Sequence, residues 1–114
     1  MSAGERTGAA ARQLLLLRHA EAAPARPGLR DFDRPLTPRG RSQAQQAARL
    51  LQRLGVQPDV IVASPAVRAR ETAAIVAERL GYPRGVDHQP ALYEAAAQAL
   101  LAALQRCEPG AQTV

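Results

Sequence analysis

The feature that most constrains the fold is a run of four leucines at residues 14–17, which leads directly into Arg18 and His19. A continuous apolar run, unlike an alternating one, is typical of a parallel strand covered on both faces. We therefore predict a first strand at Gln13–Leu17, buried on both sides. The Arg-His pair at its carboxyl end would by itself be read as the solvated start of a loop, so its interpretation depends on the other segments of the chain.

Two helix starts share one pattern, a hydroxyl residue followed by proline, which favours an N-cap with proline at the first helical position. Thr37-Pro38 predicts a helix to about Leu54, and Gly55 ends it. Ser64-Pro65 predicts a second helix to Leu80, ended by Gly81. Apolar residues at helical spacing are expected to face inward, namely Ala44, Ala47, Ala48, Leu51 and Leu54 in the first helix and Ala69, Ala73, Val76, Ala77 and Leu80 in the second.

The alternation of strands and helices continues along the chain and sets the fold class. Short strands are predicted at Val60–Ala63 and Val86–Gln89, a third helix at Glu94–Arg106, and the start of a strand at Gln112–Val114. This order predicts an α/β fold, a three-layer α/β/α sandwich around a mostly parallel sheet. Residues 1–12 are predicted to be a disordered leader, residues 13–114 one domain, and Glu21–Asp33 a loop within it.

Composition excludes several function classes. All 15 basic residues are arginine and the net charge is +5, but only three aromatic residues are present, so no stacking platform for nucleic acid is expected. The single cysteine rules out an internal disulfide and fits a reducing compartment. Since no apolar run approaches the ~20 residues of a membrane span, we expect a cytoplasmic protein without membrane contacts.

Polar residues from two segments converge on one edge of the predicted sheet. Ligands of open α/β sheets bind at the carboxyl ends of the strands, where Arg18 and His19 follow the first strand and Ser64 follows the second. Arg68 lies one helical turn further on. Guanidinium groups and a helix N-terminus suit a phosphate group, and a histidine among them is a candidate nucleophile for attack on phosphorus. Such a reaction needs neither metal nor cofactor.

Three stretches then match a known family in order and spacing: LLLLRHAEA, DRPLTPRG (Asp33–Gly40) and SPAVRARETA (Ser64–Ala73). The chain resembles the histidine phosphatase superfamily, which has the phosphoglycerate-mutase-like fold. The short loop between His19 and the RPLT motif resembles most the small bacterial phosphohistidine phosphatases of the SixA type.

The resemblance implies a role for each matching residue. His19 would be the phosphorylated nucleophile, and Arg18 and Arg68 would hold the phosphoryl group. Further substrate contacts would come from Arg34, Glu21 and Ser64, although helix capping is the favoured role of Ser64, as it is of Thr37. Glu94 stands where many relatives carry a carboxylic acid, but a glutamate stabilising the first turn of a helix is the favoured interpretation. His88 has no matching motif and is predicted to be a loop residue.

One part of the family pattern is missing. Relatives carry a second catalytic histidine in a Gly-His motif after a strand that follows the third helix, and Gln112–Val114 stands where that strand would begin. The family places that strand between the first and second strands, so the resemblance implies a C-terminally truncated domain. As given, the chain is expected to be poorly folded and inactive, or else part of a longer protein.

Several functions therefore remain open. The leading hypothesis is a phosphatase acting through phospho-His19 on phosphohistidine in a protein. The alternatives are a phosphatase of small phosphomonoesters and a non-catalytic remnant that binds phosphorylated partners through Arg18 and Arg68. An arginine-rich nucleic-acid binder is the least favoured, and the sequence does not predict an oligomeric state.

Overall fold

The computed structural model describes residues 13, 15–93, 102, 106, 107 and 110–114 of the 114-residue chain. The predicted leader lies outside the described residues. So do Glu94 and almost all of the predicted third helix, of which Ala102 and Arg106 are described. Within the part of the chain that the structure describes, no helix is long and apolar enough to cross a membrane.

The first helix, α1, spans Pro38–Arg53 and confirms the predicted helix to within one residue at its end. It begins as predicted, because the Thr37 hydroxyl oxygen accepts a hydrogen bond from the Gly40 N–H at 2.9 Å. Gly40, Ala44 and Ala48 are buried at a spacing of four residues. Leu54 was predicted to face inward, which is wrong: it follows the last helical turn and is 68% exposed.

The second helix, α2, spans Val67–Leu80 and ends as predicted at Gly81, whose φ of 66° is left-handed. Its start differs from the prediction, because Ala66 is the N-cap residue and no side chain caps it. The predicted capping role of Ser64 is therefore wrong. Its Oγ instead accepts a hydrogen bond from the Ala66 N–H at 3.2 Å, within the turn that precedes the helix.

The buried face of α2 is formed by Thr72, Ala73 and Val76, and the two helices pack against each other. Ala73 and Val76 were predicted to face inward. Thr72 was not, because a threonine does not contribute to an apolar pattern. Small side chains dominate the interior of the described residues, and the buried apolar residues are Leu36, Ala44, Ala48, Ala66, Ala73, Val76 and Ala111.

Two short strands form a parallel sheet: β1 at Val62–Ala63 and β2 at Asp87–His88. The ladder continues on both sides, since Asp87 N–H donates to Ile61 O and Gln89 N–H donates to Ala63 O, each at 2.9 Å. Both predicted strands and their parallel pairing are confirmed, and the molecule is an α/β protein. His88 was predicted in a loop, which is wrong, because backbone pairing with Ala63 places it in β2.

The segment that contains the leucine run pairs through its backbone with the C-terminal residues, and the length of this pairing determines how much of the leucine run is covered. Gln13 forms a parallel bridge with Thr113, and Leu15 N–H donates to Val114 O at 3.0 Å. On the other side, Thr113 O accepts from the N–H groups of Asp59 and Val60. Gln112–Val114 therefore lies between the first segment and the one leading to β1, as the family pattern predicts for the start of that strand.

The predicted burial of the leucines on both faces is wrong. Leu15, Leu16 and Leu17 are 37%, 71% and 49% exposed. An apolar run makes a strand suited to burial, but the neighbours that cover it come from other segments. Here the paired stretch reaches Leu15, and the following two leucines border an open cleft.

Candidate active site

A cleft of about 560 Å³ runs between the leucine segment and the segment leading into α2. Its walls are mainly apolar, with Leu15–Leu17 on one side and Val60–Ala63 on the other. The lining also includes the polar residues Arg18, His19 and Ser64, which the sequence predicted at one edge of the sheet. The three therefore border the same cleft.

The orientation of the His19 ring follows from one hydrogen bond. Its Nδ1 lies 2.7 Å from the backbone oxygen of Ala20. Because a carbonyl oxygen only accepts hydrogen bonds, Nδ1 must carry a proton. In the neutral ring the lone pair then resides on Nε2. His19 is exposed, so this nitrogen belongs to a side chain that a ligand can reach.

The backbone after His19 is fixed from two helices. Ala20 N–H donates to Thr72 Oγ1 at 3.3 Å, and the same hydroxyl donates to the Arg68 carbonyl at 2.8 Å. Glu21 N–H donates to Gln43 Oε1 at 3.0 Å, which ties the next residue to α1. The leucine segment before the histidine forms an isolated bridge at Gln13 rather than the predicted strand. The backbone that follows His19 is instead held by side chains of both helices.

Close packing at the start of α1 completes this support. Thr37 N–H donates to Glu21 O at 3.0 Å, and a Cβ atom on Gly40 would overlap that same carbonyl oxygen. Only glycine allows the helix to approach the Glu21 backbone so closely. The glycine of the RPLTPRG motif thus has a packing role beneath the histidine segment.

Arg34 and Arg68 converge on the carboxylate of Asp31, which lies in a 3-10 turn at Asp31–Asp33. Arg34 Nη1 donates to Asp31 Oδ1 at 2.8 Å, and Arg68 Nη2 donates to Oδ2 at 3.1 Å. Arg68 also donates from Nη1 to the Asp31 carbonyl at 2.7 Å. Two of the three arginines predicted to bind phosphate therefore share one anionic partner.

Asp31 stays ionised because its surroundings favour the charged form. A hydrogen bond from the Tyr93 hydroxyl, followed by those from Arg34 and Arg68, lowers the pKa of Asp31 from 3.8 to about 2. The Tyr93 hydroxyl donates to Oδ2 at 2.6 Å. Near neutral pH this carboxylate is a permanent anion beside two permanent cations.

The remaining predicted residues have different positions. Glu21 is an exposed residue whose carboxylate lies 3.7 Å from the Arg39 guanidinium, and it is absent from the lining of the cleft. Ser64 lines the cleft. Glu94 lies outside the described residues. Among the described ranges, no three side chains of the histidine, cysteine, aspartate and glutamate types form a group that could hold a metal ion.

Sequence reasoning missed Asp31, Thr72 and Tyr93. Spacing offered a signal for two of them: Asp31 precedes Arg34 by three residues, and Thr72 follows Arg68 by four, one helical turn away. Tyr93 lies 62 residues from Asp31, so local pattern gave no reason to connect them. Of the three predicted arginines, Arg18 lines the cleft with His19, whereas Arg34 and Arg68 are absent from its lining and bond to Asp31. An accessible imidazole nitrogen and a guanidinium in one cleft suit transfer of an anionic group.

Comparison with known proteins gives several matches. The model of the histidine phosphatase superfamily (branch 1) matches residues 14–105. The mitochondrial serine/threonine-protein phosphatase Pgam5 of Drosophila ananassae is 42% identical over 74 residues, which are 65% of this chain and 25% of the relative. The chain thus spans about a quarter of the length of that relative.

Solved structures agree. A protein of Agrobacterium tumefaciens assigned as the phosphohistidine phosphatase SixA superposes with a TM-score of 0.81 at 34% identity, covering 89% of this chain and 64% of that one. The corresponding protein of Nakamurella gives 0.77 at 37% identity, covering 90% and 56%. A SixA structure complexed with tungstate gives 0.72 at 28% identity, covering 82% and 58%. Since the family model matches most of its residues and these structures share its fold, the chain belongs to the histidine phosphatase superfamily.

Proposed function

We propose that the protein is a phosphatase that works through a covalent phosphohistidine at His19, with phosphohistidine on a protein as its preferred substrate. The observation that carries this proposal is the hydrogen bond from His19 Nδ1 to Ala20 O, which leaves Nε2 as the nucleophilic nitrogen. A ring held in this way meets the first requirement of nucleophilic catalysis, a lone pair fixed in direction.

The reaction would proceed in two displacements. The Nε2 lone pair attacks phosphorus while the bond from phosphorus to the leaving nitrogen or oxygen breaks, and the leaving group takes a proton. Water then attacks the phosphohistidine, phosphate leaves, and the electron pair returns to Nε2. A leaving imidazole nitrogen is basic enough to be protonated by water, so the scheme does not depend on Glu94.

The arginines would stabilise the charge on the three peripheral phosphoryl oxygens. Arg18 lines the same cleft as His19, and the Arg68 carbonyl is linked to the histidine segment through Thr72. Arg34 would contribute a second guanidinium beside Arg68, since both contact Asp31.

Two facts support a phosphorylated protein as substrate. The named relatives are a serine/threonine-protein phosphatase and phosphohistidine phosphatases. In addition, His19 is exposed, and such a nucleophile can be approached by a side chain on a large partner. A small phosphomonoester remains the alternative substrate, because an open site does not reject it.

Trapping the intermediate tests the proposal. Full-length protein incubated with a ³²P-phosphohistidine protein should acquire acid-labile label, and His19→Asn should abolish both label and turnover. His88→Asn is the matched control, because His88 is the second of the two histidines and lies in β2. Unchanged turnover in the His19 variant would overturn the mechanism.

Steady-state kinetics on the same full-length protein test which class of substrate it prefers. We expect kcat/KM for the phosphohistidine protein to exceed the values for a phosphoserine protein and for p-nitrophenyl phosphate by at least about tenfold, since the enzyme would stabilise the transition state of one substrate selectively. A preference for p-nitrophenyl phosphate would instead favour the small-molecule alternative.

A further inference from the structure

Asp31 joins three segments that are distant in sequence. Its carboxylate accepts hydrogen bonds from Arg34, from Arg68 and from the Tyr93 hydroxyl, and its carbonyl accepts another from Arg68. The Arg68 side chain is only 12% exposed, so its guanidinium depends on such partners. No other carboxylate among the described residues forms an ion pair with Arg68.

Arg68 gives two donors to Asp31 and Arg34 gives one, so both guanidinium groups keep donors for a ligand. A guanidinium carries five N–H donors in a rigid plane. Arg68 directs one donor of Nη1 and one of Nη2 to Asp31. Arg34 directs Nε to Ala23 O and Nη1 to Asp31. Because the plane is rigid, fixing one edge also fixes the direction of the remaining donors.

Aromatic packing holds the carboxylate in place. The rings of Phe32 and Tyr93 meet edge to face, with centroids 5.2 Å apart and an angle of 78°. The Arg68 guanidinium lies 5.9 Å from the centroid of the Tyr93 ring. The only phenylalanine and one of the two tyrosines of the chain therefore pack around Asp31 and Arg68.

The cluster is connected to the nucleophile. Thr72 donates to the Arg68 carbonyl and accepts from Ala20 N–H, directly after His19. The Arg68 main chain is therefore linked through Thr72 to the backbone that follows His19. Arg68 Nη1 also donates to the backbone carbonyl of Asp31. An incoming anion that replaced the Asp31 carboxylate as partner of Arg68 would leave this second hydrogen bond in place, so Asp31 would still hold the side chain.

We propose that Asp31 is a positioning residue, which orients Arg68 and Arg34 toward the phosphoryl group while making no contact with that group itself. This inference rests on the proposed function, because it assumes that the two arginines bind the phosphoryl group. The low pKa of Asp31, about 2, supports it, since the anchor keeps its charge at all pH values where the protein works.

Tungstate binding by the full-length protein tests the inference without requiring turnover. Tungstate imitates a phosphoryl group, and a related structure binds it. Asp31→Asn should weaken tungstate binding, measured by calorimetry, about tenfold, because it removes charge-assisted hydrogen bonds. Asp33→Asn is the matched control. Its carboxylate lies in the same turn but pairs with exposed Arg30, so we expect a change below twofold.

A double-mutant cycle separates positioning from general structural damage. Asp31→Asn should weaken tungstate binding less when Arg68 is already alanine than in the wild-type background, because only Arg34 then remains to be positioned. An equal loss in both backgrounds would overturn the proposal. So would tighter binding in Asp31→Asn, which would mean that the carboxylate competes with the anion for the arginines.

A milder variant guards against loss of folding. Tyr93→Phe removes the phenol hydrogen bond to Asp31 but keeps the ring. It should weaken tungstate binding about threefold, with cooperative thermal unfolding retained. If the wild type binds tungstate but His19 never acquires label, the proposed reaction fails and the positioning role can still be judged from binding. If the wild type does not bind tungstate, both proposals are overturned.

Discussion

The two helices begin with the same sequence pattern but use it differently. At α1, the Thr37 hydroxyl caps the helix and Pro38 is its first residue. At α2, Ser64 bonds only to the turn before the helix, and Ala66 is the N-cap without a side-chain cap. The first pattern closes a helix end and stabilises it. The second leaves the N–H groups at the start of α2 without a side-chain cap, on the side of the molecule where a phosphate is expected to bind.

What surrounds each start also differs. The first turn of α1 packs on the Glu21 backbone through Gly40, so its contacts are close and independent of charge. The first turn of α2 is held by an ion pair, since Arg68 bonds to Asp31. The start of α1 is therefore held by close packing, whereas the start of α2 carries Arg68, a residue proposed to bind the phosphoryl group.

The largest expected effect comes from filling the contact at α1. Gly40→Ala should destabilise the protein by about 2–3 kcal/mol, because the new Cβ would overlap the Glu21 carbonyl oxygen. In an ordinary exposed helix the same change would stabilise by about 1 kcal/mol. Chemical denaturation measures the difference.

Gly85→Ala serves as the control for that measurement, because nothing lies within 4 Å of a Cβ atom built there. Its free energy of unfolding should change by less than about 0.5 kcal/mol. Equal effects at the two glycines would contradict the assigned packing role of Gly40.

The next effect concerns the link between α2 and the histidine segment. Thr72→Val keeps the shape of a buried side chain but removes the hydroxyl that bonds Ala20 N–H and Arg68 O. Leaving the Ala20 N–H without this partner should cost about 1–3 kcal/mol of stability, measured by urea denaturation. Thr72→Ser keeps the hydroxyl and should recover most of the stability that Thr72→Val loses. Failure of serine to do so would show that the methyl group, not the hydroxyl, is what matters.

A smaller effect compares the two hydroxyl residues directly. Thr37→Ala should lower the free energy of unfolding by about 1 kcal/mol, the usual cost of a lost N-cap. Ser64→Ala should cost no more than about 0.5 kcal/mol, because only a turn bond at 3.2 Å is lost. Thermal unfolding of the two variants gives the ranking, and a larger loss at Ser64 would contradict the assigned difference.

These residues also show how far the sequence could predict the molecule. Local signals located α1, α2, β1 and β2, because glycine, proline and capping residues act on their own neighbours. The grouping of Arg18, His19 and Ser64 was predicted from a general rule of parallel sheets, and all three line the cleft. The exposure of Leu16 was missed because it depends on which segments cover the strand.

The supporting contacts were harder to predict. Asp31 and Tyr93 meet only because the chain folds back over 62 residues, and no periodic pattern encodes such a contact. Glu71 is similar: its carboxylate accepts from Leu36 N–H at 2.8 Å and pairs with Arg41, so it joins α2 to the start of α1. Long-range polar contacts of this kind depend on the assembled fold, whereas caps and helix stops do not.

Acid should weaken the start of α2 more than that of α1. The pKa of Asp31 is lowered to about 2 from 3.8, so its stabilising contribution is fully present above pH 3.8 and is lost as the pH falls toward 2. The Thr37 hydroxyl does not titrate in this range. Amide hydrogen exchange at Arg68–Arg70 should therefore accelerate more between pH 4 and pH 2, after correction for intrinsic rates, in the wild type than in Asp31→Asn.

Only the difference in amide exchange between the wild type and Asp31→Asn is assigned to Asp31, because other carboxylates also take up protons between pH 4 and pH 2. The pKa of Asp33 is also lowered, by its bond to Arg30, and that contribution is common to both proteins. Exchange at Arg39–Arg41 should show little difference between them, since the first turn of α1 makes its cap with a hydroxyl. If both helix starts lost protection together, and equally in both proteins, the ion pair at Asp31 would not be what holds the start of α2.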